Sequence, residues 1–296
     1  MVGSKDKLQF KMKKIYLLMM LLATVFVACS DDDDDNNDSK NSWNITMKVQ
    51  SEDDNGSVNF QFIRDDIKGI IDWGDGNSTS IEDYPYSYSH IYKSGIYSVT
   101  VKLNDTCAFN CSRSNITSLV ISDNNGLTSL YCDETNLTSL DVRNCKILTD
   151  LNCRYNEKLS SLDASNCISL ENIDCKISSL TSLNINGCNK LERLYCGDNN
   201  LSTLNANNCI NLLSLDCPSN KLTSINIDNC NSLSYLDCQD NKFDDDAMNY
   251  IYNALPDKTG IRHCYIHIRS TDAKGDITIL ENKNWSVNIK HGEISK

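Results

Sequence analysis

Residues 212–232 read L-L-S-L-D-C-P-S-N-K-L-T-S-I-N-I-D-N-C-N-S, and residues 191–211, just before them, read L-E-R-L-Y-C-G-D-N-N-L-S-T-L-N-A-N-N-C-I-N. The two align without a gap. The same frame, L-x-x-L-x-C-x-x-N-x-L-x-x-L-x-φ with φ aliphatic, fits residues 170–190, 127–147 and, with one residue more, 148–169. A weaker copy occupies 106–126, and a last one starts at Leu233 and stops after Asn241. Cysteine reports the period independently. One series is Cys111, Cys132, Cys153, Cys175, Cys196, Cys217, Cys238; the other is Cys145, Cys167, Cys188, Cys209, Cys230. Both step by 21 residues, and both take a single step of 22 at the same insertion.

A turn this short cannot bury its own apolar edge. Stacked turns bury one another's, so the period predicts a leucine-rich-repeat solenoid. The L-x-C segment is a short strand with alternate residues inward: Leu194 and Cys196 face the core and Tyr195 faces out. Asn199, Asn220 and Asn241 follow each strand, where asparagine can satisfy turn backbone groups from inside the bend. The second half of the frame resembles the first, which predicts extended segments on both sides and little helix. Neighbouring rungs sit roughly 4.8 Å apart with parallel side chains, too far for a relaxed disulfide. The ladder cysteines therefore read as small buried hydrophobes. They also lack the short paired spacing that zinc requires, Cys107/Cys111 being the nearest approach to it.

Over residues 106–243 this array resembles the cysteine-ladder leucine-rich repeats of internalin-like and Bacteroides-type bacterial surface proteins. That resemblance implies a non-catalytic surface protein that binds another protein.

The chain carries 28 basic and 40 acidic residues, a net charge of −12. An acidic surface argues against nucleic acid as a partner. At the N-terminus, Lys11, Lys13 and Lys14 precede an apolar run at 15–27, too short to span a bilayer and suited to a signal-peptide core. Ala28-Cys29 resembles the lipobox of bacterial lipoproteins, which implies a signal peptide over 1–28, lipidation of Cys29 and a membrane held through lipid alone. Ser30, Asp31, Asp32 and Asp33 open an acidic run over 29–42 that resembles the lipoprotein export signal of the Bacteroidota. The resemblance implies the outer face of the outer membrane. The run also reads as a solvated tether.

Residues 43–105 read as a small β-domain. Strands are expected at 43–49 and 58–63, with a turn at 53–56 between them. The pairing of W-G-D-G (Trp73 to Gly76) with H-I-Y-K-S-G-I-Y-S-V (His90 to Val99) resembles the PKD domain, an immunoglobulin-like β-sandwich. Tyr97, Val99 and Val101 are expected to alternate inward, and His90 to be structural. Calcium at Asp75 stays open on this reading.

After Asn241 the pattern changes, as the end of a repeat array must. Ala247, Ile251 and Leu255 are spaced for one helical face, Asp244 to Asp246 suit the helix N-terminus, and Pro256 marks the stop. Two strand-like stretches follow, 261–268 and 285–289. His263 and His267 read as surface or packing residues on one strand face. The expected architecture is mostly β: the solenoid, preceded by the PKD-like sandwich over 43–105 and closed by a small α/β cap over 244–296.

No catalytic constellation is legible, and neither a cofactor motif nor a metal site. What remains is a surface, the outward strand face. Tyr131, Asp174, Tyr195, Asp216 and Asp237 lie in its central column with Asn110 and Asn152. Arg193 and Tyr235 flank them on one side, and Arg154, Lys176, Asp133 and Gln239 on the other. Tyrosine and arginine are enriched at binding hot spots. Tyr131, Arg154, Asp174, Arg193, Tyr195, Asp216, Tyr235 and Asp237 are thus the candidate ligand-binding residues, for an extracellular or host protein. The alternative is a glycan held on the tyrosines, as a surface component of a nutrient-uptake system.

Overall fold

The computed structural model describes residues 42–290, apart from 55, 65–66, 83–86, 123–125, 144, 261–262 and 270–274. The expected signal peptide, Cys29 and the Ser30–Asp33 run lie outside the described residues.

The described chain opens with β1 (Trp43–Ser51), β2 (Gly56–Ile63), β3 (Gly69–Asp72), β4 (Ser78–Ile81), β5 (Ser87–Tyr92), β6 (Gly95–Leu103), β7 (Cys107–Asn110) and β8 (Ile116–Ser122). The repeats supply β9 (Leu127–Tyr131), β10 (Ser139–Asp141), β11 (Asp150–Asn152), β12 (Ser161–Asp163), β13 (Asn172–Asp174), β14 (Ser182–Asn184), β15 (Arg193–Tyr195), β16 (Thr203–Asn205), β17 (Ser214–Asp216), β18 (Ser224–Asn226) and β19 (Tyr235–Asp237). Then come α1 (Asp245–Ala254), β20 (Tyr265–Arg269), α2 (Thr278–Asn282) and β21 (Ser286–Lys290).

The fold is mostly β, a solenoid of about eight turns with few helices. One eleven-stranded sheet runs β21-β20-β19-β17-β15-β13-β11-β9-β7-β2-β5. From β7 to β21 its strands are parallel; β2 and β5 continue it antiparallel. The other side of each turn forms two short parallel sheets, β10-β12-β14 and β16-β18. A five-stranded sheet, β4-β3-β6-β1-β8, packs at the N-terminal end. Strands from both sides of residue 105 share each of the two larger sheets, since β8 pairs with β1 and β7 with β2.

The repeats stack in strict register. Leu151 sits beside Ile173, then Leu194, Leu215, Leu236 and the cap's Ile266, all buried. Each of the fourteen described cysteines is a buried free thiol. Many thiols also donate. Cys167 Sγ reaches Val142 O at 3.0 Å, Cys188 Sγ reaches Ala164 O at 3.1 Å and Cys230 Sγ reaches Ala206 O at 3.1 Å. In this series a thiol thus fills a small apolar space and caps a carbonyl of the turn before it, whereas Cys175 and Cys217 of the other series donate to Tyr195 O and Asp237 O in the turn after.

The asparagine position does what its chemistry allows. Asn220 Nδ2 donates to Cys196 O at 2.9 Å, Cys217 O at 3.4 Å and Pro218 O at 3.2 Å, while its Oδ1 accepts from Leu201 N at 3.0 Å. Asn199 and Asn241 repeat the pattern one turn either side. Asn156, beside the one-residue insertion, makes the same donations, but its Oδ1 accepts from Thr135 N at 3.0 Å. Just before this position each turn passes through left-handed backbone, at Arg113, Glu134, Tyr155, Ile177, Asp198, Ser219 and Asp240, with φ from 52° to 60°.

At the N-terminal end, Trp73 stacks on His90 with centroids 4.8 Å apart, and Tyr92 Oη donates to Trp73 O at 2.9 Å. His90 Nε2 lies 2.7 Å from Asp75 Oδ2, and this hydrogen bond, above all other causes, holds the Asp75 carboxyl below the usual carboxylate range. Tyr97 is half-buried, stacked on Tyr92, while Val99 and Val101 are fully inward.

In α1, Asp244 Oδ1 accepts from Ala247 N at 2.8 Å and caps the helix. The expected apolar face needs correction. Met248, Ile251 and Tyr252 are buried with Leu255, whereas Ala247 lies half-exposed in the first turn. Large side chains one residue on reach the core better than the small alanine. A second correction concerns His263. It precedes β20 with φ 73° and is exposed, so it shares no strand face with His267.

Candidate binding face

The outward side chains of the eleven-stranded sheet form three columns, because parallel strands in register place equivalent positions side by side. The central column runs Asn110, Tyr131, Asn152, Asp174, Tyr195, Asp216, Asp237 and His267. One flanking column carries Asn172, Arg193, Ser214, Tyr235 and Tyr265 across the same strands. The other flank carries Arg154, Lys176, Gly197, Pro218 and Gln239, two residues after the central position.

The candidate residues at the C-terminal half meet one another. Lys176 Nζ lies 4.9 Å from the centre of the Tyr195 ring and 3.9 Å from Asp216 Oδ2, two strands away. Gly197, its neighbour in the flanking column, has no side chain and lies against Pro218. A Cβ at Gly197 would come within 2.9 Å of Pro218 Cδ. Arg154 Nη1 lies 3.8 Å from Asp174 Oδ2, and Arg193 Nη1 donates to Asn172 Oδ1 at 3.1 Å. Tyr235 packs against the cap's His267 with centroids 5.1 Å apart. Tyr131 stands apart, three strands from Tyr195 in the central column.

Asp237 differs from the expectation of a surface-lining residue. Only 6% of it is exposed, and its Oδ2 accepts from Gln239 Nε2 at 3.0 Å. It acts from beneath the surface, through its charge. Burial first, and Asp237 second, push the Asp216 carboxyl above its ordinary value, against the pull of Lys176.

The cap adds residues that the sequence reading left out. His267 and Tyr265 extend the central and flanking columns past the last repeat, and His267 Nε2 lies 3.2 Å from Asn288 Nδ2. The signal was present: I-H-I at 266–268 repeats the inward–outward–inward alternation of the L-x-C strands. Its period was hidden by the helix inserted before it.

The opposite side of the same turns is a built-in comparison. Its outward pairs are Ser139/Asp141, Ser161/Asp163, Ser182/Asn184, Thr203/Asn205 and Ser224/Asn226. All are small and polar; beyond them this side carries Arg143, paired with Asp141 and Asp163, and the helix's Tyr250 on Asp228. Tyrosine, arginine and histidine are more numerous on the long sheet, within the strands themselves. Among the described residues, no group of three or more His, Cys, Asp or Glu is arranged to hold a metal ion.

No family model matches the chain, and none of the curated proteins matches it. Among solved structures, the chain is similar to the functional domain of InlJ from Listeria monocytogenes, which includes a cysteine ladder. The two are 32% identical with a TM-score of 0.50, over 62% of this chain. The match spans 38% of that chain, well under half its length.

Proposed function

We propose that this chain is a non-catalytic, lipid-anchored surface protein of the Bacteroidota type. It binds an extracellular protein through the outward face of its long sheet. Lipidation at Cys29 and export through the acidic run place it on the outer membrane's external face. A PKD-like sandwich over 43–105 serves as the spacer that carries the repeats. The likeness to a cysteine-ladder domain supports an interaction role.

The observation that carries the reading is the contrast between the two sides of each turn. Both sides are short parallel strands under the same stacking constraint, so β-propensity alone would treat them alike. Only one side gathers Arg193, Tyr195, Tyr235, Tyr265 and His267 around carboxylates. These are the residue types that dominate binding energy in protein interfaces.

The test has two arms. Intact cells are treated with external protease, beside a variant with Asp31–Asp35 changed to Ala; cleavage of the parent alone supports surface export. The full chain is then measured against a panel of immobilised extracellular proteins. Tyr195→Ala with Tyr235→Ala should weaken any captured partner by about a thousandfold, the scale of two hot-spot residues of about 2 kcal/mol each. Thr203→Ala with Ser224→Ala, on the opposite side, should leave it unchanged. Equal loss from both pairs would refute the assignment of the face.

A further inference from the structure

The long sheet's outward face holds a second feature at its other end, a polar cleft of about 310 Å³. Asn59, Gln61, Asn110, Ser112, Arg113 and Asp133 line it. Its origin is a change in the strand pattern. β2 pairs with β7 through only three residue pairs, Gln61↔Asn110, Phe62↔Phe109 and Ile63↔Ala108. Beyond Gln61 the two part, because β7 ends and the chain turns through Arg113 at φ 60°. Ser114 occupies the rung that asparagine holds in later turns. Its Oγ donates to Asn59 O at 2.5 Å and accepts from Asn59 N at 3.3 Å. This pins the backbone of β2 while the outward side chains stand around an opening.

The lining is suited to hydroxyl groups, each of which both donates and accepts. The Asn59 and Gln61 amides are exposed and offer both functions. Asn110 Oδ1 accepts from Ser112 N at 3.0 Å, which orients its amide; Ser112 Oγ donates to Asp133 Oδ1 at 2.5 Å, which orients that carboxylate. Charge selects against anions. Arg113 is held by Glu134 at 3.1 Å, so an anion entering the cleft would meet the Asp133 carboxylate beside a cation already paired. The neighbour of Asn110 in the central column, one strand beyond the lining, is the half-buried Tyr131, a residue type that offers an apolar plane. A cleft of this size matches the lower end of small-ligand sites.

We propose that this cleft is a subsite for one ring of a neutral glycan, with Gln61, Asn110 and Asp133 reading its hydroxyls and Tyr131 taking its C–H face. It shares no residue with the Tyr195–Tyr235 cluster, so either assignment can fail alone.

The experiment is saturation-transfer NMR on the full chain in detergent, with the methyl glycosides of glucose, galactose, mannose, fucose and N-acetylglucosamine up to roughly 20 mM, above the weak affinity of single small ligands. At least one sugar should give a saturable signal. Gln61→Ala should weaken it about tenfold, as loss of a paired hydrogen-bonding group does. Gln61→Trp, which fills the opening from an exposed position, should abolish it, and Tyr195→Ala should leave it intact. Circular dichroism verifies that both Gln61 variants fold. No saturable signal from any of the five sugars, or a signal indifferent to both Gln61 variants, overturns the proposal.

Discussion

Leu201 N–H and the carbonyls of Cys196 and Cys217 all lie inside the solenoid, and one side chain, Asn220, answers all three. Strands three residues long supply few ladder bonds of their own, so this side chain stands in for secondary structure. Asn220→Ala would leave Leu201 N–H buried and unmatched, while Cys196 O keeps Asn199 Nδ2 and Cys217 O keeps Asn241 Nδ2 as donors. It should cost about 2 kcal/mol, read as a lower urea midpoint. Ile177 sits at the left-handed position of its turn with φ 53° and is 41% exposed. A β-branched residue is strained there, and little burial would be lost on replacing it. Ile177→Asn should therefore stabilise the protein by about 1 kcal/mol in the same measurement. Asp216 gives a pH signature. Its folded carboxyl is raised by burial and by Asp237, so its charged form opposes folding. That penalty is full above the folded value and vanishes below the unfolded value of about 3.9. Asp216→Asn should melt higher than the parent near pH 7, with the gap closing near pH 3, where both side chains are neutral.

At the scale of the element, each cysteine series behaves as a column of inert thiols. Burial pushes the ladder thiols up, Cys209 to about 11 and the first-series thiols well beyond it, with Cys167 raised first by its contact with Cys145 and then by burial, so thiolate is scarce at neutral pH. Iodoacetamide at about pH 8 should leave the fourteen described cysteines unmodified until denaturant opens the solenoid, with intact mass as the readout. Early labelling of one ladder position would show that its turn opens locally. The strand and ladder positions were legible from spacing alone, because stacking forces the inward residue to recur. The helix face was legible only in part. Spacing marked Ile251 and Leu255, but Met248 and Tyr252 fill the core beside them, and periodicity cannot rank Ala247 against a larger neighbour.

For the molecule as a whole, the ends decide what the repeats can be. The cap continues the long sheet through β20 and β21, so that Leu236 packs beside Ile266, and α1 and Trp285 cover the end of the core. Truncation after residue 243 should expose that raw end, lower the melting temperature and yield self-associated species on size exclusion. The sequence carried the period and the outward columns but not the cleft. The cleft depends on where β2, far earlier in the chain, meets the first repeat, and on Ser114 pinning the β2 backbone there. That meeting does not repeat, so no period could reveal it. The Tyr195–Tyr235 cluster was legible, since register follows from spacing, yet the reach of Lys176 past Gly197 and the burial of Asp237 required side-chain geometry.

Strict register also makes the long sheet a ruler. Six strand spacings separate Asn110 from Asp237 along the central column. At about 4.8 Å each, they set the cleft and the C-terminal cluster on the order of 29 Å apart. Gain or loss of one 21-residue unit would change that distance by a single notch, leaving both ends untouched. A ligand long enough to touch both would then measure repeat number directly, so relatives built from the same parts could discriminate partners by length alone.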